Sequence, residues 1–312
     1  AARPLSGQII AFDDSDRDGL ADAPRLYAEG LARPNGLAWH DGALYAIGDG
    51  HLYRLIDGAV ETLIDDLPRG IAWPSAIAIG DDGQLYAAVA APCDLCAPDA
   101  DPTSGAIYRY APDGRDREVL AVGLRQPGDL AFYRGALWFG DRAPDVYRET
   151  ADLDEINRLT PGDETAHFGF PLCLGAAQID ITDAFCLTQT VFPAHGLPTH
   201  SAPLGLAAYT SDAVPSLQDT LLVVLNGNRD DPRLRGFAVI ALRFDADGQF
   251  IERHDLIPNG NGYRHIESFD QDQLNYRNSG FFPRRPIDVA VSPDGIIYIS
   301  VSGGVIPALR GP

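Results

Sequence analysis

The chain has 312 residues, 45% of them hydrophobic, with 24 basic against 44 acidic side chains and a formal net charge of -20. That charge repels phosphate backbones and argues against nucleic-acid binding. All 24 basic residues are arginine, which excludes Schiff-base lysine chemistry, and no apolar run is long enough to span a membrane. The first strand expected is Ser6-Gly7-Gln8-Ile9-Ile10-Ala11-Phe12. An acidic loop comes next, in which Asp14, Asp16, Asp18, the Leu20 carbonyl and Asp22 alternate around Gly19 in the manner of a Ca²⁺ loop. Arg25 stands where the usual twelfth-position acid belongs, so an acidic solvated turn is the alternative.

Beyond it lies a hairpin that the chain repeats. Arg33-Pro34-Asn35-Gly36-Leu37-Ala38-Trp39 turns at His40-Asp41-Gly42 into Ala43-Leu44-Tyr45-Ala46-Ile47. Pro74-Ser75-Ala76-Ile77-Ala78-Ile79 turns at Asp81-Asp82-Gly83 into Gln84-Leu85-Tyr86-Ala87. The clearest copy spans residues 123–141, with strand Leu130-Ala131-Phe132, turn Tyr133-Arg134-Gly135 and return strand Ala136-Leu137-Trp138-Phe139, broken at Gly140-Asp141. A fourth runs from Ala202-Pro203-Leu204-Gly205-Leu206 to Leu221-Leu222-Val223-Val224-Leu225, and a fifth from Arg285-Pro286-Ile287-Asp288-Val289 to Ile296-Ile297-Tyr298-Ile299. Further alternating strands succeed the first four copies, as in Gly50-His51-Leu52-Tyr53-Arg54-Leu55.

A repeat of about 40–50 residues, with about four strands in each, points to blades around an axis. The expected fold is all-β, a six-bladed β-propeller of four-stranded antiparallel blades, with a five-bladed ring plus an extra hairpin as the alternative. Residues 1–312 form one domain, with the N-terminal strand closing the C-terminal blade. Residues 250–283 read as a long loop over the channel mouth, and His195, His254 and His265 fall in loops. The four cysteines form a local pair, Cys93 and Cys96, and a second pair, Cys173 and Cys186. Two disulfides in an exported protein suit them better than zinc, which wants tighter spacing and histidine support. The start at Ala1-Ala2-Arg3-Pro4 reads as a new end left by signal cleavage, and the expected location is periplasmic or secreted.

Several segments together resemble the soluble glucose/sorbosone dehydrogenases, six-bladed propellers that bind pyrroloquinoline quinone (PQQ) and Ca²⁺. They are the Cys93/Cys96 pair, Gly123-Leu124-Arg125-Gln126-Pro127, Asp154-Glu155-Ile156-Asn157, Phe168-Gly169-Phe170-Pro171-Leu172-Cys173, His200-Ser201-Ala202-Pro203-Leu204-Gly205-Leu206 and Arg285-Pro286-Ile287-Asp288-Val289. The resemblance implies a quinoprotein oxidoreductase acting on a sugar or a related alcohol or aldehyde, with a small-molecule substrate and an electron acceptor as partners. Cofactor contacts fall on Arg125, Gln126, Asn226, Arg229 and Arg285, since guanidinium forks suit the three carboxylates of PQQ. Tying blades together is the alternative role for these arginines. Metal contacts are implied at Asp154 and Glu155, beside the Asp14 to Asp22 loop. Arg125 and His200 are the catalytic candidates.

This chain departs from that pattern in four places. Ala72 stands where the resemblance implies a general-base histidine, Gln126 replaces an asparagine, Asn226 replaces a histidine, and the lysine some members use is absent. Two other readings therefore stay open: a Ca²⁺-dependent lactonase-like hydrolase ringed by Asn35, Asp129 and Asp288, and a non-catalytic ligand-binding propeller.

Overall fold

The computed structural model describes residues 7–16, 22–72, 76–97, 104–146, 153–160, 162, 164–175, 184–228, 235–257, 285–302 and 308–309. Asp18, Leu20, Arg229 and His265 lie outside these, as does most of the expected long loop.

The chain folds as a six-bladed β-propeller built on four-stranded antiparallel blades; among the described residues three sheets have four strands and the others two, three and five. Blade 1 is the hairpin β1 (Gly7–Ala11) and β2 (Arg25–Leu31). Blade 2 is the meander β3 (Gly36–His40), β4 (Ala43–Gly48), β5 (His51–Ile56) and β6 (Ala59–Ile64). Blade 3 contains β7 (Ile77–Ile79), β8 (Leu85–Val89), β9 (Ala106–Tyr110) and β10 (Glu118–Val122). Blade 4 contains β11 (Pro127–Tyr133), β12 (Ala136–Asp141) and β13 (Asp154–Leu159). The chain then leaves that blade. Two residues, β14 (Ala166–His167), add a fifth, parallel strand to blade 3 beside β10. A short helix α1 (Ala184–Gln189) comes next, and β15 (His195–Leu197) returns to complete blade 4. Blade 5 is β16 (Pro203–Tyr209), β17 (Thr220–Leu225), β18 (Ala238–Phe244) and β19 (Phe250–Ile257). Blade 6 is β20 (Pro286–Val291), β21 (Ile297–Val301) and β22 (Ala308–Leu309).

Two features differ from the sequence reading. Residues 250–257, expected to open a loop, form β19, whose backbone pairs antiparallel along the free edge of β18. Strand β12 is not broken at Gly140-Asp141 but runs through Asp141, which pairs with Glu155. Among the described residues β1 pairs with β2, and β20–β22 form their own sheet, so closure of blade 6 by residues 6–12 stands as a proposal. No helix among the described residues is long and apolar enough to cross a membrane.

The hairpins close with the chemistry their twist demands. Arg134-Gly135 has φ of 50° and 71°, and Asp41-Gly42 has 45° and 77°. Positive φ at both central residues is the type I′ pattern that matches strand twist. Inner strands β3, β7, β11, β16 and β20 stand side by side around the axis. Apolar cores fill the wedges between blades. Ile47, Leu52, Leu85 and Tyr108 join blades 2 and 3, while Trp138, Leu206, Val223 and Phe244 join blades 4 and 5. Trp138 lies 4.3 Å from Phe244 between ring centroids and donates its indole N–H to Tyr133 O at 2.9 Å.

Near the axis the wedge narrows until backbone meets backbone. The third residues of β11, β16 and β20 are Asp129, Gly205 and Asp288. Asp129 accepts the Leu130 and Leu206 amides at 2.8 and 3.0 Å, and so laces blade 4 to blade 5. Asp288 accepts the Val289 amide at 2.8 Å and raises the Asp129 pKa further by its charge. Loss of hydration is the leading cause in both: Asp129 is pushed well above the usual carboxylate range, and Asp288 to about 6.

These raised values fix the sign of the pH response. Between about 4 and 6 the native state binds more protons than the unfolded chain, so stability falls as pH rises through that window. Asp288→Asn keeps an oxygen for the Val289 amide and removes a charge. It is expected to stabilise the protein by about 1–2 kcal/mol at pH 8, a discounted figure because the carboxylate is half-buried, and by little at pH 4. Urea denaturation at the two pH values checks this, and an equal effect at both would refute the assignment.

Candidate functional site

Of the predicted site residues, Arg125, Gln126, Asp154, Glu155 and His200 lie close together, where β10 leads into β11 and β12 into β13. The organising group is Asp141, which sequence reasoning passed over as a strand breaker. Its two carboxylate oxygens accept the backbone amides of Arg125 at 2.9 Å and Gln126 at 2.6 Å. That fixes the Arg125-Gln126 bend at the entrance to β11.

Arg125 is buried, with 3% of its side chain exposed. One terminal nitrogen donates to Gln126 Oε1 at 2.7 Å, and the other to the carboxylate of Asp94, in the Cys93–Cys96 disulfide loop. Asp145 stands 3.8 Å away. The Arg125 Nε–H is buried and has no partner among the described residues, and the same holds for Arg142 Nε close by.

Three buried carboxylates sit behind these arginines. Asp141 and Glu155 are cross-strand partners, so their side chains share one face of the sheet. Burial, opposed by the Arg125 and Gln126 amides, pushes Asp141 to about 6. Burial and the nearby Asp141 charge push Glu155 up to about 8. Glu155 accepts the Asn157 side-chain amide at 2.9 Å and the Gly175 amide at 2.6 Å. Asp154 accepts the amides of Ala143 and Ala202 at 3.0 and 2.7 Å, which ties blade 4 to the His200 turn. Burial is again the main cause of its rise to about 6, and His200 acts electrostatically in the opposite direction. His200 itself is buried at φ 72°, just before β16.

A cavity of about 10 Å³, roughly one water in size, lies among Arg125, Asp141, Arg142, Glu155 and Phe170. Its oxygen donors are of the hard type that Ca²⁺ prefers, and Asn157 Oδ1 is buried nearby without a partner among the described residues. No group of three or more His, Cys, Asp or Glu residues converges as a metal site among the described residues. At the described ends of the Asp14 to Asp22 loop, Asp22 accepts the Ser15 amide and hydroxyl at 3.0 and 2.7 Å, while Asp18 and Leu20 lie outside the described residues.

The remaining predicted residues divide. Asn226 and Arg285 are brought together, away from Arg125. Asn226 donates its side-chain amide to Pro286 O at 2.6 Å, while Arg285 donates to the carbonyls of Asn226 and Gly227. This stitches blade 5 to blade 6, the alternative role weighed for these arginines. Arg125 holds a carboxylate, that of Asp94, and keeps a buried Nε–H without a partner among the described residues; Arg285 donates to two carbonyls. Asp94 and Asp141 were the misses. Only the disulfide loop beside Asp94 and the pairing of strands 136–141 and 154–159 could have pointed to them.

No family model matches the chain, and no curated protein matches it. Its fold is found in solved structures of sugar-oxidising propellers. The calcium structure of the Trichoderma reesei Carbohydrate-Active Enzymes Family AA12 protein is 16% identical, with a TM-score of 0.74 over 99% of this chain and 89% of that one. The holo form of the pyranose dehydrogenase PQQ domain from Coprinopsis cinerea is 16% identical, with a TM-score of 0.71 over 95% and 86%. The PQQ-bound aldose sugar dehydrogenase from Streptomyces coelicolor is 18% identical, with a TM-score of 0.60 over 92% and 84%.

Proposed function

We propose that this chain is an oxidoreductase of sugars or related alcohols and aldehydes that uses PQQ with Ca²⁺, in a periplasmic or secreted setting. The observation that carries the reading is the buried Arg125 guanidinium, backed by Asp141 and Glu155, on one rim of a fold shared with PQQ-bound sugar dehydrogenases. When bound, the quinone would supply the two-electron chemistry. The chain's own residues do the rest: Arg125 binds a carboxylate, Asp141 orients Arg125 and Gln126 through their amides, and the Cys93–Cys96 loop covers the guanidinium. His200 is retained as the candidate base in place of the histidine absent at Ala72, because it acts electrostatically on Asp154, next in sequence to Glu155. Arg229 is retained as a cofactor contact and Asp154 as a metal neighbour. Glu155 and Asp141 would hold the cation through their carboxylate oxygens.

The test is reconstitution with PQQ and CaCl₂, then a quinone absorbance titration and aldose-dependent dye reduction. Absence of both would remove the reading. The hydrolase alternative gains nothing from the structure, because Asp129 and Asp288 are engaged with backbone amides at the axis.

Calcium binding carries its own prediction. Glu155 must lose its proton to take a cation, so Ca²⁺ should raise the melting temperature more at pH 8.5 than at pH 6.5. Glu155→Gln should abolish that rise. A calcium shift that is independent of pH, or intact in the variant, would place the ion elsewhere.

A further inference from the structure

A second cavity, of about 420 Å³, opens on the same rim but outside Arg125. It exists because the chain crosses back from blade 4 to lay Ala166–His167 beside β10, with His167 in register with Val122. Its walls include Pro92, Leu124, His167, Phe170, Leu172 and Phe185. A molecule of one or two rings fits this volume.

The lining defines the chemistry. No Asp, Glu or Arg is among the described lining residues. Gly123 has φ 75°, and a Cβ there would come within 2.5 Å of the His167 ring, so the imidazole rests directly on the backbone. Phe185 meets that ring edge to face at 5.1 Å between centroids. His167 Nδ1 accepts the Gly169 amide at 2.9 Å, which assigns the ring proton to Nε2. Burial lowers the His167 pKa, and so keeps the ring neutral at pH 7. Among the described residues the pocket therefore offers aromatic and aliphatic walls, one imidazole N–H donor and no charged side chain.

We propose that this pocket binds a neutral aromatic ring bearing a carbonyl or phenolic oxygen, with the ring against Phe170 and Phe185 and the oxygen on the His167 N–H. The cavity shares Gly123 and Phe170 with the one beside Arg125, so only that wall separates the two. The proposal does not depend on the oxidoreductase reading, since binding needs neither quinone cofactor nor calcium.

The probes are 1-naphthol and 1-naphthalenesulfonate, titrated calorimetrically into the full chain. One saturable site for 1-naphthol is expected, with at least tenfold weaker binding of the sulfonate, whose charge has no partner on the walls. Leu172 is 52% exposed, so Leu172→Trp should fill the pocket without disturbing a core and weaken 1-naphthol at least tenfold. The His167 ring nitrogens should shift in ¹H–¹⁵N spectra of the unmodified protein on adding 1-naphthol, a readout that stands whether or not the variant folds. Unsaturable 1-naphthol binding, equal affinity for the sulfonate, full affinity in a folded Leu172→Trp protein, or an unmoved His167 signal would each overturn the assignment.

Discussion

Replacing Arg125 with alanine is expected to weaken PQQ binding by about 100-fold. A charge-assisted bond to a carboxylate contributes roughly 1.5–3 kcal/mol, and each 1.4 kcal/mol is tenfold in affinity. The bend at residues 125–126 survives, because Asp141 holds it through backbone amides that alanine retains. Asp94, with 35% of its side chain exposed, can turn to water when its partner is removed, so the cost to the fold is modest. Arg285→Ala makes the contrast: it removes a stitch between blades 5 and 6 and should lower stability, with less than about tenfold change in quinone affinity. Absorbance titration of PQQ into the two variants decides the matter. If Arg285→Ala loses more affinity than Arg125→Ala, the cofactor lies nearer the blade 5–6 seam than proposed.

The second large effect is steric. Gly128→Ala is expected to cost at least about 3 kcal/mol and to lower the yield of folded protein. A Cβ at this position would lie 2.3 Å from Pro203 O, 2.8 Å from Leu204 Cα and 2.9 Å from Leu204 O. All three are backbone atoms of the neighbouring inner strand, so no side chain can swing aside. Relief requires β11 and β16 to part, which would pull Asp129 away from the Leu206 amide and shift Gln126, two residues upstream. Gly135→Ala is the control. Its φ is 71°, but nothing lies within 4 Å, so only turn strain of about 1 kcal/mol is expected. Chemical denaturation of the pair separates crowding from conformational strain, and similar losses in both would show that the wedge at the axis is looser than described.

The fold was legible because its signals are local and repeated. Each inner hairpin announces itself by proline, small or polar residues, then alternating apolar residues and a tight turn such as Asp41-Gly42. What escaped was non-local. Strand β15 is three residues long and pairs only after an excursion through β14 and α1, so no period within residues 195–197 could reveal it. Strand β19 carries the polar run Glu252-Arg253-His254-Asp255 at its centre and is the outer strand of its blade, and that run made it resemble a loop. At the site, Arg125 and Arg285 carry the same sequence signal, a position before an inner strand that recurs. Their surroundings differ only through packing, which sets Arg125 against Asp94 and Arg285 against the Asn226 and Gly227 carbonyls. Asp94 and Asp141 act on Arg125 from 31 and 16 residues away, through contacts that exist only once blades 3 and 4 have folded together.

The bond between Cys173 and Cys186 fastens the segment behind Phe170 to the helix that carries Phe185. Those two rings face each other across the aromatic cavity, so one covalent link spans the gap that the cavity occupies. In a thiol-rich cytoplasm that link would be missing, and helix α1, only six residues long, would lose its covalent tie to the segment behind Phe170. The propeller needs no oxidant to form its blades, whereas this compartment on its rim would be finished only where sulfur chemistry permits, which makes the place of maturation part of the recipe for ligand recognition.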